Sequence, residues 1–360
     1  MSLKPSISSP EKQKPVRDSN IELLRILVMC GVVLLHYNGY IGNALSRVTP
    51  GTVNQGILLG LEGFFICAVN LFVLITGYFS CTTQRRSAAK VFGLILQVMV
   101  FNAGVYLLKA LPSHTFSSRA LLYSMIPKNY FVILYAVLYL VSPYLNLLLQ
   151  SLSRKQMDKL LVLSLALFSV WPILTDLMAL FLGSSMDGLN SVSAYGDDSG
   201  YTIVNFALMY MVGAYLRLAN IQIKKRYSAA AVAVLTAVLG LAGTFNSNGI
   251  LWSYCNPLVI AQAVAVFLLF RGITLRSRLI NELAKGAFTC YLLHPVLLAY
   301  FQVAKAVQSS PLYLIAHILC CCGSIYLASW LIYKVYDLCS RPLIKLADKL
   351  FAKCKLDFSL

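Results

Sequence analysis

The sequence predicts an all-α integral membrane protein, a polytopic bundle of about ten transmembrane helices with both termini in the cytoplasm. Three observations carry this expectation. Of the 360 residues, 59% are hydrophobic and 12% charged, against roughly 45–50% and 25% in a soluble domain. Ten separate stretches stay apolar over the roughly 20 residues that a spanning helix needs. The basic residues fall in short clusters between alternate pairs of those stretches, which is the pattern of cytoplasmic loops.

The stretches are 21–40, 57–78, 91–111, 130–150, 160–183, 201–219, 228–245, 254–271, 286–303 and 312–333. The first is longer than a signal-peptide core and no small-residue cleavage site follows it, so it is expected as a retained helix. With the N-terminus inside, the inner loops and tails carry 24 of the 30 lysines and arginines. The outer side has Arg47, Lys109, Arg119, Lys128 and Lys305, and Arg25 lies within the first helix. This asymmetry supports both the even helix count and the orientation. Residues 1–20 read as a disordered cytoplasmic tail, 21–333 as the transmembrane domain and 334–360 as a basic cytoplasmic tail. The near-helical spacing of basic and apolar residues over 334–355 predicts a segment lying along the inner membrane surface. The outer loop 184–200 is polar and acidic, with Asp187, Asp197 and Asp198.

A formal charge of +17 would suit nucleic-acid binding, but its confinement to loops assigns it to topology instead, and no nucleic-acid partner is expected. Most of the ten cysteines lie inside apolar stretches, where cysteine behaves as a small hydrophobe. The run Cys320–Cys322 with His317 lacks zinc-ligand spacing, and no metal is expected.

Ionisable groups inside spanning helices are costly and mark function by default. Here they are Glu22, Arg25, His36, Glu62, Asp176, His294 and His317. Arg25 and His36 are eleven residues apart, about three turns plus 20°, so they share a face and are separated by about 16 Å along the axis. Glu22 can pair with Arg25 on that face. The pair fits a snorkelling interfacial bridge as well as a functional one, and a lone histidine at His36 fits a hydrogen-bonded core residue as well as a catalyst. Counting from the outer helix ends, His36 and Glu62 lie at depths of about 6 and 7.5 Å. A carboxylate there could fix the His36 tautomer and stabilise its imidazolium, or it could face the outer interface. His294 precedes Pro295, beside a carbonyl that the proline leaves free. His317 reads as core packing, and Asp176 as a local cap or pair.

The segment from Asn20-Ile21-Glu22-Leu23-Leu24-Arg25 to His36-Tyr37 resembles the first helix of the membrane acyltransferase-3 family, whose hallmark is an arginine and a histidine separated by ten residues. The likeness continues in order through Val69-Asn70-Leu71-Phe72 to Thr76-Gly77-Tyr78, through Tyr130-Phe131 to Tyr144-Leu145-Asn146, and through Phe288-Thr289-Cys290-Tyr291-Leu292-Leu293-His294-Pro295. It spans residues 20–300 and looks nearest to members of capsule or exopolysaccharide type. These enzymes O-acylate bacterial surface glycans, so the resemblance implies a multi-pass protein of the bacterial cytoplasmic membrane.

The implied reaction is an O-acyltransfer, most often an O-acetyltransfer. The donor is acyl-CoA, acetyl-CoA foremost, and the acceptor is a hydroxyl of a surface glycan or lipid-linked oligosaccharide. The resemblance makes His36 and Arg25 catalytic residues, and the depth argument adds Glu62. It places donor phosphates near Arg85, Arg86 and Lys90, although many members have two arginines three apart where this chain has an adjacent pair. Glu22, Asn70, Tyr78 and His294 would support the site. A transporter or flippase for a polysaccharide intermediate would share the helix count and buried charges. The ordered motifs favour the enzyme, and the lack of an internal repeat disfavours a secondary transporter.

Reporter fusions placed after residue 195 are expected outside the membrane, and fusions after residue 358 in the cytoplasm. Termini on opposite sides would reject the ten-helix expectation.

Overall fold

The computed structural model describes residues 18–183, 200–245, 249–353 and 357–359. Residues 1–17 of the expected N-terminal tail, and nearly all of the acidic loop 184–200, lie outside the described residues. The chain is an all-α polytopic membrane protein. Its helices run α1 (Ser19–Asn38), α2 (Ala44–Arg47), α3 (Val53–Phe65), α4 (Ala68–Ser80), α5 (Ala88–Ala110), α6 (Ser118–Met125), α7 (Tyr130–Ser151), α8 (Arg154–Leu165) and α9 (Trp171–Leu182). They continue with α10 (Ile203–Leu218), α11 (Lys225–Ala242), α12 (Pro257–Arg271), α13 (Arg278–Leu283), α14 (Ala287–Leu298), α15 (Val303–Val307) and α16 (Pro311–Lys353). Among the described residues there are two strands, β1 (Arg85–Ser87) and β2 (Asp357–Ser359), paired antiparallel with Arg86 opposite Phe358.

Among the described residues, eight helical spans are long and apolar enough to cross a bilayer, with α3–α4 and α8–α9 each counting as one. They account for eight of the ten predicted stretches. The α8–α9 span passes through a π turn at Ala166–Val170. Pro172 follows it and cannot donate to the carbonyl of residue 168, so the helix widens instead of breaking. The other two stretches form shorter helices. α10 has 16 residues, about 24 Å, and α14 has 12, about 18 Å. A short helix is tolerated at membrane depth when protein, not lipid, surrounds its ends. Leu292, Leu293, His294 and Leu298 of α14 are all buried.

The last helix departs from expectation. α16 runs unbroken for 43 residues, about 65 Å, roughly twice the hydrocarbon thickness. Residues 334–353 therefore continue the helix of the final span without a break. Part of their apolar side packs on α5, with Tyr336 and Phe101 rings 5.4 Å apart and Phe92 and Phe351 5.8 Å apart. At the start of this extension Glu282 of α13 pairs with Lys285 and Lys334. Hydrogen bonds from both lysines hold its carboxyl down to about 2. The cluster is exposed, so it contributes at most about 1 kcal/mol.

The core gathers α1, α3, α4, α10, α12, α14 and α16 around Leu24, Val33, Leu58, Leu74, Phe206, Phe267, Cys290 and Ile318. α9 and α11 turn Phe181, Leu182 and Leu241 outward, as lipid-facing helices do. The tightest contact is between α4 and α10. A Cβ on Gly77 would stand 2.1 Å from the Tyr210 carbonyl oxygen, and one on Gly213 would stand 2.1 Å from that of Leu74. Without a hydrophobic driving force in lipid, such small-residue contacts let backbones approach and pack.

Gly213→Ala is expected to lower thermal stability in detergent by about 1–3 kcal/mol, through overpacking. Gly104→Ala is the control. It lies within α5 with nothing within 4 Å of the added Cβ, and is expected to be neutral or stabilising by up to about 1 kcal/mol. Equal effects of the two would show that α4 and α10 do not meet through their glycines.

Candidate active site

α1 presents His36 in its last turn, two residues before it ends at Asn38. The His36 Nδ1 lies 2.9 Å from the Val32 carbonyl oxygen. A carbonyl only accepts, so Nδ1 carries the hydrogen and the neutral ring keeps a bare lone pair on Nε2. That is the tautomer a general base needs.

His294 of α14 packs edge to face against it, with ring centroids 4.6 Å apart and planes at 73°. Pro295 has no amide hydrogen, so the Tyr291 carbonyl one turn earlier loses its helical partner. The His294 Nδ1 donates to that carbonyl at 2.8 Å and to the Cys290 carbonyl at 3.1 Å. The freed carbonyl read from the sequence is thus occupied by the neighbouring imidazole. His294 Nε2 is buried and has no hydrogen-bond partner. Both rings are anchored to their own helix by Nδ1 and leave Nε2 available.

Glu62 stands elsewhere. Its carboxylate accepts from Asn38 Nδ2 at 2.8 Å, and the same amide donates to the Leu58 carbonyl at 3.1 Å. Glu62 is buried at 8% exposure, so it does not face the outer interface. The carboxylate reaches the end of α1 at the expected level but serves Asn38, two residues and about 200° around the helix from His36. The acceptor expected of Glu62 at the His36 Nδ1 is the Val32 carbonyl. Nearby, Asn70 donates to the Tyr254 carbonyl at 2.7 Å and accepts from Asn205 at 3.1 Å. His317 bonds Tyr37 at 3.0 Å and is ringed by Phe301 and Tyr313, a packing role.

At the opposite end of α1, Arg25 bridges Glu22 at 3.1 Å. Arg86 is buried at 7% exposure, its Nε donating to Ser142 Oγ at 2.9 Å and its guanidinium 4.7 Å from the Tyr139 ring centre. Nη2 has no partner, and none of the described ion pairs involves Arg86. A buried cation without a counter-charge costs several kcal/mol. Its position is held by Asn146, whose amide donates to the Ser80 and Thr83 carbonyls just before β1 and whose oxygen accepts from Tyr210. Lys90 shares the Tyr139 ring at 5.1 Å, whereas Arg85 points to the exposed side of β1. Tyr78 sits between Arg217 and Arg271, whose guanidinium carbons are 5.3 and 5.9 Å from its ring centre; Arg271 Nε also donates to its hydroxyl at 3.1 Å.

The structure thus brings together His36 with His294, Glu62 with Asn38, and Arg86 with Lys90. It joins neither Glu62 to His36 nor Arg85 to the buried cation. The roles of Asn38, Ser142, Tyr139, Arg217 and Arg271 escaped the sequence, because polar residues on helices reveal their partners on other helices only once the helices are packed. Among the described residues no three histidines, cysteines or acids are arranged to hold a metal.

The acyltransferase-3 family model, described as an acyltransferase domain, matches residues 18–334. No curated protein and no solved structure matches the chain.

Arg86→Met, which removes an unpaired buried charge while keeping volume, is expected to leave the thermal unfolding midpoint unchanged or raise it. A fall of several degrees would give Arg86 a structural duty instead.

Proposed function

The chain belongs to the acyltransferase-3 family and is a membrane acyltransferase; on that premise we propose that it moves an acyl group, acetyl foremost, from cytoplasmic acyl-CoA to a hydroxyl of a bacterial surface polysaccharide or its lipid-linked precursor. The observation that carries this reading is the pairing on one framework of a bare imidazole nitrogen, His36 Nε2, with a buried guanidinium that still has a free donor edge, Arg86.

Basic-loop counting puts Arg86 on the cytoplasmic side, where coenzyme A is found. The open Nη2 of Arg86 and the ammonium of Lys90 suit charge-assisted bonds to the donor's phosphates, and binding there would relieve the uncompensated charge. Arg25, held by Glu22, lies on α1 eleven residues before His36. The pantetheine arm extends from the arginine end and presents the thioester near His36.

His36 Nε2 takes the proton of the acceptor hydroxyl as the oxygen attacks the thioester carbonyl. The carbon–oxygen bond forms, the carbon–sulfur bond breaks, and the departing thiolate recovers a proton to leave as free coenzyme A. Glu62 supports the site by holding the end of α1 through Asn38.

Envelope glycans from cells with and without the gene are expected to differ by the mass of an acyl group. His36→Ala is expected to abolish that difference while the purified protein still binds acetyl-CoA. Arg85→Ala with Arg86→Ala is expected to weaken acetyl-CoA binding, most at low salt. Identical glycan masses, or transfer surviving His36→Ala, would overturn the reading.

A further inference from the structure

We propose that His36 and His294 act as a two-imidazole pair that shares one proton during turnover, so that His294 is a second acid–base partner acting through His36. The inference rests on the acyl-transfer reading above and extends it to a residue on a different helix.

Each ring has spent its Nδ1 hydrogen on a carbonyl of its own helix. In the resting pair both Nε2 atoms are therefore acceptors, and the buried one, on His294, has no donor. The rings adjoin, with centroids 4.6 Å apart, and a proton taken up on His36 Nε2 supplies the donor that His294 Nε2 lacks. That proton is the one the reaction releases. Among the described residues no ion pair joins His36 to a carboxylate, and Glu62 is bonded to Asn38, so an imidazolium formed on His36 alone would be a new charge inside the bundle. An Nε2–H⁺···Nε2 bond spreads the charge over two rings, and charge-assisted bonds are roughly twice as strong as neutral ones. In balance, the hydroxyl O–H bond breaks and its proton passes to His36 Nε2, shared with His294 Nε2. The same proton then moves to the sulfur as the carbon–sulfur bond breaks, and both imidazoles return to neutral.

The anchoring of His294 belongs to the same design. Pro295 supplies the free carbonyl that fixes the ring, and Tyr291, which provides that carbonyl, has its own ring 6.1 Å from His294. His36 is the one titratable group whose ring lies edge to face against His294 among the described residues.

The test uses membrane vesicles from native cells in which the gene is deleted and each variant is supplied in trans, so that the natural acceptor is present. The readout is the transfer of label from [14C]acetyl-CoA into material other than CoA, normalised to folded protein. His294→Asn keeps an amide N–H where Nδ1 donates to the Tyr291 carbonyl but has nothing at the Nε2 position. It is expected to lower the maximal rate about 100-fold or more, the usual scale of acid–base catalysis, with KM for acetyl-CoA within about twofold. His294→Gln, whose amide oxygen can accept from His36 but cannot hold a proton, is expected to fall between His294→Asn and the wild type. It also covers the case in which His294→Asn fails to fold. A His294→Asn rate within about threefold of wild type, with His36→Ala dead, would overturn the shared-proton pair and leave the acyl-transfer reading standing. Equal rates for folded His294→Gln and wild type would do the same. A wild-type protein that transfers no label would remove the reading and the pair together.

Discussion

A backbone carbonyl that loses its helical partner inside a bilayer must find a donor within the protein, because lipid offers none. Much of this structure follows from that requirement. The chain interrupts its helices repeatedly, between α3 and α4, at the π turn before α9, at Pro295 and at the ends of α4 and α12. At most of these places a side chain arrives to take the freed oxygen. Asn20 reaches the Phe270 carbonyl, Asn146 those of Ser80 and Thr83, Gln150 that of Cys81, Gln262 that of Gly63, and Asn70 that of Tyr254. These bonds tie the start of α1 to the end of α12 and the end of α4 to α7. The His294–Tyr291 bond is one more of the same kind, with the difference that its donor is a group that can exchange protons.

The carbonyl bonds are balanced by two groups left out of balance. Arg86 is buried with an open edge, and Glu62 is buried against an amide. Neither position is what stability alone would select, since apolar residues of equal volume cost less at such depth. Proteins keep such residues where the charge has work to do. Arg86 stands at the β1 end of the bundle and the imidazoles at the far end of α1. In the core that α1 shares with α14 and α16, Cys290 and Cys322 are buried and the Cys322 thiol donates to the Cys30 carbonyl.

How much of this was legible depended on which coordinate was asked for. Depth along a helix is simple arithmetic on residue number, and it placed Glu62 at the end of α1 near His36. Azimuth was not available, because the rotation of one helix against another is set by packing, and Glu62 met Asn38 instead of His36. The His294 anchor could be read because Pro295 acts locally through a missing amide hydrogen. The surroundings of Arg86 could not, since Tyr139, Ser142 and Tyr210 are 53 to 124 residues away in the chain. The eight long spans were readable from hydropathy. The shortness of α14 was not, because a helix sheathed by protein needs no full-length apolar run. The continuation of α16 past residue 333 was hidden by its charged residues, which suggested a change of environment where the backbone makes none.

The close contact of α4 with α10 also bears on motion. At Gly77 and Gly213 the two backbones touch where only a hydrogen fits. A slide of one residue would drive a side chain into a carbonyl, so this seam has no slip plane. Rocker-switch carriers work by letting two halves swing about a substrate so that each side opens in turn. Helices seamed in this way travel together, so α4 and α10 would belong to the same half of any such swing.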